Sequence, residues 1–163
     1  MSKLKPVENA VKVKARPSPV ICGRTIRERT PWGSLYVTLN FDSEGPFEVF
    51  IAFGKSGSEQ NAMMEALARA ISIGLRFGCR LEDFIATLKG LSGKEVWMFD
   101  CDEEQVICSL PDAVARLLEK LESMQERFDR VVTDRFEENR DAYMDQLPAF
   151  RRTLVDVGRR LSD

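Results

Sequence analysis

The chain contains no histidine. That absence removes much familiar catalytic chemistry, because imidazole is the usual general base near neutral pH and the commonest transition-metal ligand. Ser-His-Asp and Cys-His nucleophilic catalysis, His-ligated zinc and the zinc deaminase pattern are excluded within this chain. Four cysteines remain, Cys22, Cys79, Cys101 and Cys108, at separations of 57, 22 and 7 residues. With no C-x-x-C pair they suit neither a zinc ribbon nor a dithiol redox couple, and they read as free, buried thiols of a reducing compartment. No catalytic set, no metal site and no resident cofactor are expected.

Phosphate chemistry is the next class to test. Gly54, Lys55, Ser56, Gly57 and Ser58 form a short loop between a strand pattern and a helix pattern. In that setting backbone N–H groups and a lysine can cradle an anion. The loop is not a Walker sequence, which requires glycine where this chain has Val49. Two readings stay open: a phosphate or nucleotide contact, or a plain helix start in which Ser56 and Glu59 make an S-x-x-E capping box.

Asp100, Asp102, Glu103 and Glu104 make the only dense group of carboxylates. Such a group suits acid/base work or a hard cation, or is simply the solvated tip of a hairpin. Trp32 and Tyr36 flank Gly33 and either stack on a ligand or join the core. Residues 1–30 hold eight Lys or Arg against Glu8 and Glu28, a net of +6, leaving −8 on residues 31–163. A basic arm of this kind either meets phosphates or an acidic face, or is merely solvated.

The elements that must position these groups follow from hydrophobic spacing. Ser34 to Asn40 alternates, with Leu35, Val37 and Leu39 on one face; Phe47 to Phe53 alternates again after the turn residues Asp42 to Pro46. A hairpin is predicted, with Arg24 to Thr30 as a more charged edge strand. A long helix is predicted from the loop to about Phe77, stopped by Gly78. On it Ala62, Ala66, Ala70 and Gly74 form a ridge of small side chains, the expected packing surface on the hairpin, and Met63, Leu67, Ile71 and Leu75 widen the apolar stripe. Leu81 to Lys89 reads as a second, shorter helix. Lys94 to Cys101 and Val106 to Cys108 read as a small hairpin around Asp102 to Gln105, and helix resumes at Pro111.

Beyond Pro111 a heptad seam appears at Leu117, Leu121, Met124, Phe128 and Val131. After the polar interval Asp134 to Asp141 it returns out of phase at Tyr143, Leu147, Phe150, Leu154, Val157 and Leu161, interrupted at Pro148. The pattern predicts a coiled-coil homo-oligomer or a partner-docking helix through residues 117–161, because a solitary rod would leave its stripe in water. The expected organisation is a basic flexible tail over residues 1–19, an α+β domain over 20–118 in which a small antiparallel sheet packs under helices, and a long C-terminal helical appendage over 119–163. No run approaches 18 uninterrupted apolar residues and the N-terminus lacks an apolar signal core, so no membrane partner and a cytoplasmic location are expected.

Several blocks of this sequence, in order, resemble the TSCPD domain found near the C-terminus of adenosylcobalamin-dependent (class II) ribonucleotide reductases. They are Gly23-Arg24-Thr25, Thr30 to Asn40, Pro46 to Ile51, Gly54 to Gly57, Glu65 to Ser72, Leu75-Arg76, Leu88 to Leu91 and Ser109 to Ala115. Family members often carry cysteine in the blocks matching Trp32, Gly93 and Leu110. All three are absent here, which is similar to a Ser-Leu-Pro-Asp branch, and no family thiol or metal site carries over to those positions.

The resemblance implies an accessory domain, non-catalytic alone, that supports deoxyribonucleotide synthesis and DNA replication. Its partner would be the large chain of a reductase, and adenosylcobalamin would enter only through that chain. At 163 residues there is no room for the catalytic barrel, so the protein is at most a subunit of ribonucleoside-diphosphate reductase. The competing expectation is an independent nucleotide- or nucleic-acid-binding module in a mobile-element or regulatory setting.

Overall fold

The computed structural model describes residues 13–15, 21–100 and 102–138. Three strands, β1 (Cys22–Thr30), β2 (Gly33–Asp42) and β3 (Gly45–Phe53), form an antiparallel sheet in the order β1-β2-β3. Helix α1 (Glu59–Arg76) follows, then α2 (Leu81–Leu88), the two-stranded sheet of β4 (Trp97–Phe99) and β5 (Asp102–Ile107), and α3 (Leu110–Glu138). The α+β class, the hairpin and the long helix toward the C-terminus match the sequence reading. The described residues up to Ser123 form one compact unit, and those from Met124 onward belong to a second.

The sheet folds as it does because its alternation is nearly clean. Leu35, Val37 and Leu39 of β2 and Phe47, Val49, Ile51 and Phe53 of β3 all face one core. Val37 pairs with Ile26 of β1 on one side and with Ile51 on the other. The same core takes Leu81 and Ile85 from α2, Phe99 and Ile107 from the second sheet, and Ala113, Val114, Ala115, Leu117, Leu118 and Leu121 from α3. Burial of so many successive positions means that the first turns of α3 are enclosed on nearly every side.

Helix α1 packs on β3 through Ile71 and Leu75 of the predicted apolar stripe but not through the alanine ridge. Met64, Ala68, Ile71 and Leu75 are its buried residues, whereas Ala62, Ala66 and Ala70 face solvent. The true stripe is centred on the large apolar side chains, which gain more by leaving water than alanines do. Gly74 alone of the predicted ridge makes a close approach, since a Cβ there would stand 2.3 Å from Phe84 Cζ. Ala66→Leu should therefore change stability by less than about 0.5 kcal/mol, while Ala68→Leu should overpack the helix–sheet contact and cost about 1–3 kcal/mol. Urea denaturation midpoints of the two variants check this, and equal midpoints would contradict the assigned face.

The edge of β3 is covered by side chains of α1. Ser72 Oγ accepts from the Val49 N–H at 2.9 Å, its one proton faces the Ala68 carbonyl at 2.8 Å and the Val49 carbonyl at 3.1 Å, and Asn61 Oδ1 accepts from the Phe53 N–H at 2.9 Å. Free edge groups of a short sheet are thereby satisfied and shielded from pairing with another chain. The second hairpin is tighter than predicted. Phe99 pairs with Asp102 across the turn, so Asp102 to Gln105 belong to β5 rather than to the tip. No helix among the described residues is long and apolar enough to cross a membrane.

Candidate functional site

The predicted anion loop leaves β3 through Gly54, whose N–H donates to the Ser34 carbonyl at 3.1 Å. Gly54 and Gly57 have φ of 58° and 82°, the left-handed region that a side chain would strain. Helix α1 is capped by Ser58, whose Oγ accepts from the Asn61 N–H at 3.2 Å. This corrects the expected Ser56/Glu59 capping box: the cap stands two residues later, and its third-position partner Asn61 turns to the Phe53 N–H instead. Lys55 and Ser56 are exposed at the loop's tip.

The two carboxylates of the acidic group whose side chains are described, Asp100 and Asp102, take different partners. Asp100 Oδ2 accepts from the backbone N–H of Arg29 at 3.3 Å and pairs with its guanidinium at 3.7 Å. Asp102 Oδ2 accepts from Gln105 Nε2 at 2.5 Å, and Gln105 Oε1 accepts from Arg116 at 2.6 Å. The side chains of Glu103 and Glu104 lie outside the described set. Cys22 and Cys79 are exposed and Cys108 is partly buried, so these thiols are free but not buried as expected, while Cys101 lies outside the described residues.

Two carboxylates that the sequence reading passed over are fully buried. Asp112, in the first turn of α3, accepts from the Gly90 N–H at 2.8 Å, the Cys108 N–H at 2.8 Å and Arg116 Nε at 3.1 Å. Ser109, three residues earlier, accepts from the Asp112 N–H at 3.2 Å and donates to the Leu91 carbonyl at 2.6 Å. The Ser109-Leu110-Pro111-Asp112 block is thus a clamp joining the α2–β4 loop, the end of β5 and the start of α3.

Glu28 sits among the inward positions of β1, opposite Leu35. Its Oε1 accepts from Asp100 N at 3.1 Å and Trp97 Nε1 at 3.3 Å, and its Oε2 has no partner among the described residues. Burial raises its pKa above the ordinary glutamate value; those two hydrogen bonds oppose the shift without cancelling it. Trp97 in turn meets Trp32 edge to face at 5.6 Å. A parity count along β1, where Glu28 follows Ile26 on the core-facing side, is the one sequence signal that marked it.

The aromatic residues beside Gly33, Trp32 and Tyr36, are outside rather than in the core. Trp32 is exposed beside the β1–β2 turn, and Tyr36 and Phe50 are 43% and 48% exposed on the outward face of the sheet. Between that face and α1 runs a groove of about 510 Å³, lined among others by Tyr36, Phe50, Ser72, Ile73 and Arg76.

At the N-terminal side, Lys14 is anchored: its N–H donates to the Arg76 carbonyl at 3.0 Å, and its ammonium reaches Glu44 at 2.8 Å and Asp42 at 3.6 Å. The hydrogen bond to Glu44 is the main cause of its raised pKa. The rest of the basic arm before Ile21 is, apart from Val13 and Ala15, outside the described residues.

The expected heptad seam divides. Leu117 and Leu121 are buried in the core of their own chain, whereas Met124, Phe128, Val131 and Val132 are exposed. The second run, residues 143–161, lies outside the described residues. Intramolecular burial wins at Leu117 and Leu121 because α3 enters the core before it leaves it, so the first two seam positions are not available to a partner.

Comparison with known proteins gives one family. The TSCPD domain model matches residues 10–122. A vitamin B12-dependent ribonucleotide reductase of Streptomyces clavuligerus is 28% identical over 120 residues, covering 65% of this chain and 12% of the relative. That of Streptantibioticus cattleyicolor is 26% identical over 132 residues, 72% of this chain and 22% of the relative. The Streptomyces coelicolor protein of the same description is 28% identical over 109 residues, 58% of this chain and 11% of its own length. The chain thus spans about a tenth to a fifth of the curated relatives it matches. No solved structure matches.

Proposed function

The chain belongs to the TSCPD domain family, and we propose that it is a non-catalytic accessory domain that docks on a separate vitamin B12-dependent reductase chain in the cytoplasm and supports deoxyribonucleotide synthesis. The observation that carries this reading is the family match over residues 10–122 together with relatives in which the matched region is a small part of a reductase. Adenosylcobalamin enters this reading only with the partner chain. Docking or self-association would use the exposed apolar side chains of α3, the seam residues Met124 and Val131 with the neighbouring Val132. The Gly54–Ser58 loop is a secondary element of the proposal, as a phosphate contact supplied by Lys55 and the first amides of α1.

The test is co-expression of the tagged full chain with a reductase barrel that lacks a TSCPD domain of its own. The expected result is a stable complex with faster ribonucleotide reduction than the barrel alone, and loss of the complex when Met124, Val131 and Val132 are replaced together by glutamate. A barrel that never co-elutes and turns over equally well without this chain would overturn the reading. Sedimentation of the chain alone separates self-association from docking, since a homo-oligomer gives a multiple of 18.5 kDa.

A further inference from the structure

The outward face of the three-stranded sheet keeps large aromatic rings in water, where a solvated sheet face is ordinarily polar. In the register, Tyr36 pairs with Ala52 and Thr38 with Phe50, so Tyr36 and Phe50 are diagonal neighbours on that face. The hydroxyls of Thr25 and Thr38, bonded to each other at 2.8 Å, lie on the same face, and Ile73 of α1 continues it along the groove. A guanidinium stands on each side. Arg27 is the register partner of Tyr36 on β1, and its Nε donates to Ser34 Oγ at 3.1 Å. Arg76 lines the α1 side, and its Nε donates to the Lys14 carbonyl at 3.1 Å. Neither has a carboxylate partner among the described residues, whereas Arg69, the third arginine here, is paired with Glu65. In a chain of sequence pI about 5.4, two arginines without carboxylate partners thus flank an aromatic floor.

We propose that this face binds single-stranded nucleic acid, with two successive bases stacked on Tyr36 and Phe50 and the backbone phosphates drawn to Arg27 and Arg76. Exposed rings on an open sheet offer what an unpaired base needs, a flat apolar partner, and stacking of this kind is tolerant of sequence. A duplex keeps its bases stacked on each other and has no face to offer. Strand spacing argues against a lone nucleotide. Neighbouring strands lie about 4.8 Å apart, so β1 and β3 are separated by two such steps with α1 beyond, a span that suits consecutive nucleotides. Two carboxylates also line the groove: Glu65, paired with Arg69, and Glu48, at the end in register with Asn40 and away from Tyr36.

The experiment is fluorescence anisotropy of a labelled 12-nucleotide oligothymidylate with the full chain. Binding is expected with a Kd of about 1–100 µM at low salt and should weaken as salt rises from about 50 to about 200 mM. Tyr36→Ala and Phe50→Ala should each weaken it by roughly 5- to 150-fold, with unfolding midpoints near wild type because both rings are about half in solvent. Tyr36→Leu and Phe50→Leu, which keep apolar bulk but remove the ring, should lose binding likewise and serve if an alanine variant fails to fold. A duplex of the same length and thymidine monophosphate at equal nucleotide concentration should not displace the probe.

No binding would overturn the proposal, as would equal affinity in the ring variants or equal competition by duplex or mononucleotide. Mononucleotide competition abolished by Lys55→Ala would assign the contact to the Gly54–Ser58 loop instead. The readout uses this chain alone, so its failure leaves the docking reading untouched.

Discussion

Asp112→Ala is expected to lower the stability of the α+β unit by about 3–5 kcal/mol, the range for breaking a buried charge pair by removing one partner. The carboxylate is fully buried and faces three N–H donors: the Gly90 and Cys108 amides, each at 2.8 Å, and Arg116 Nε at 3.1 Å. Alanine would leave the two backbone N–H groups without their acceptor, with only the Gly93–Cys108 and Ser109–Leu91 hydrogen bonds still joining the segments, and would leave Arg116, only 17% exposed, without its counter-charge. Asp112→Asn should lose most of the same stability, because its amide nitrogen must be turned toward one of the donors. Arg116→Ala is the milder control at about 1–3 kcal/mol, since the two backbone bonds to Asp112 survive. Chemical denaturation of the three variants is the measurement. An Asp112→Ala midpoint indistinguishable from that of Arg116→Ala would mean that the clamp does not hold the three segments together.

The position of Asp112 explains how far sequence reasoning reached. Strands β2 and β3 were legible because their core-facing residues repeat every second position, and α1 ended where predicted because Gly78 adopts φ of 88° just beyond its C-cap. The packing face of α1 is centred on Met64, Ala68, Ile71 and Leu75 rather than on the four-residue repeat of small residues, because the larger apolar chains decide the contact. The tip of the second hairpin was placed too late because Asp102, Glu103 and Glu104 read as turn residues, yet pairing with β4 draws them into a strand.

Glu28 and Asp112 stayed hidden for a common physical reason. A parity count puts Glu28 on the core-facing side of β1 but names no partner that would let a carboxylate stay there, and the groups that make burial tolerable are far away in sequence, at Asp100 for Glu28 and at Gly90 for Asp112. The exposed rings are the converse case. An aromatic residue in a strand is ordinarily core, and only the three-stranded width of the sheet, with α1 on its inner face, leaves Tyr36 and Phe50 outside.

Glu28 is where that hidden burial has the clearest consequence in solution. Glu28→Ala is expected to cost about 2–4 kcal/mol, because it leaves the Trp97 indole N–H and the Asp100 amide, both now turned inward, without an acceptor. Glu28→Gln keeps an oxygen for those donors and removes the charge, and its effect depends on pH. The folded-state pKa of Glu28 is raised above the ordinary 4.5 by burial, with the Asp100 charge adding to the rise and Lys120 opposing it. The folded protein therefore binds this proton more tightly than the unfolded chain does. The associated stability is fully present below the unfolded pKa and is lost as pH rises through the folded one.

Wild type should therefore lose stability relative to Glu28→Gln across the weakly acidic range, and the difference should level off above the folded pKa. Asp83, whose pKa the neighbouring Arg80 lowers, changes stability with the opposite sign and at lower pH, so the wild-type minus Glu28→Gln difference is the quantity to measure by urea denaturation at a series of pH values. Trp97, packed edge to face on Trp32, supplies an independent optical signal, and emission should shift through the same interval in wild type only. Parallel stability profiles for the two proteins would show that Glu28 does not carry a raised pKa. The unpartnered Oε2 would then have to be satisfied by solvent, and β1 would pack on the second sheet more loosely than the hydrogen bonds to Trp97 and Asp100 require.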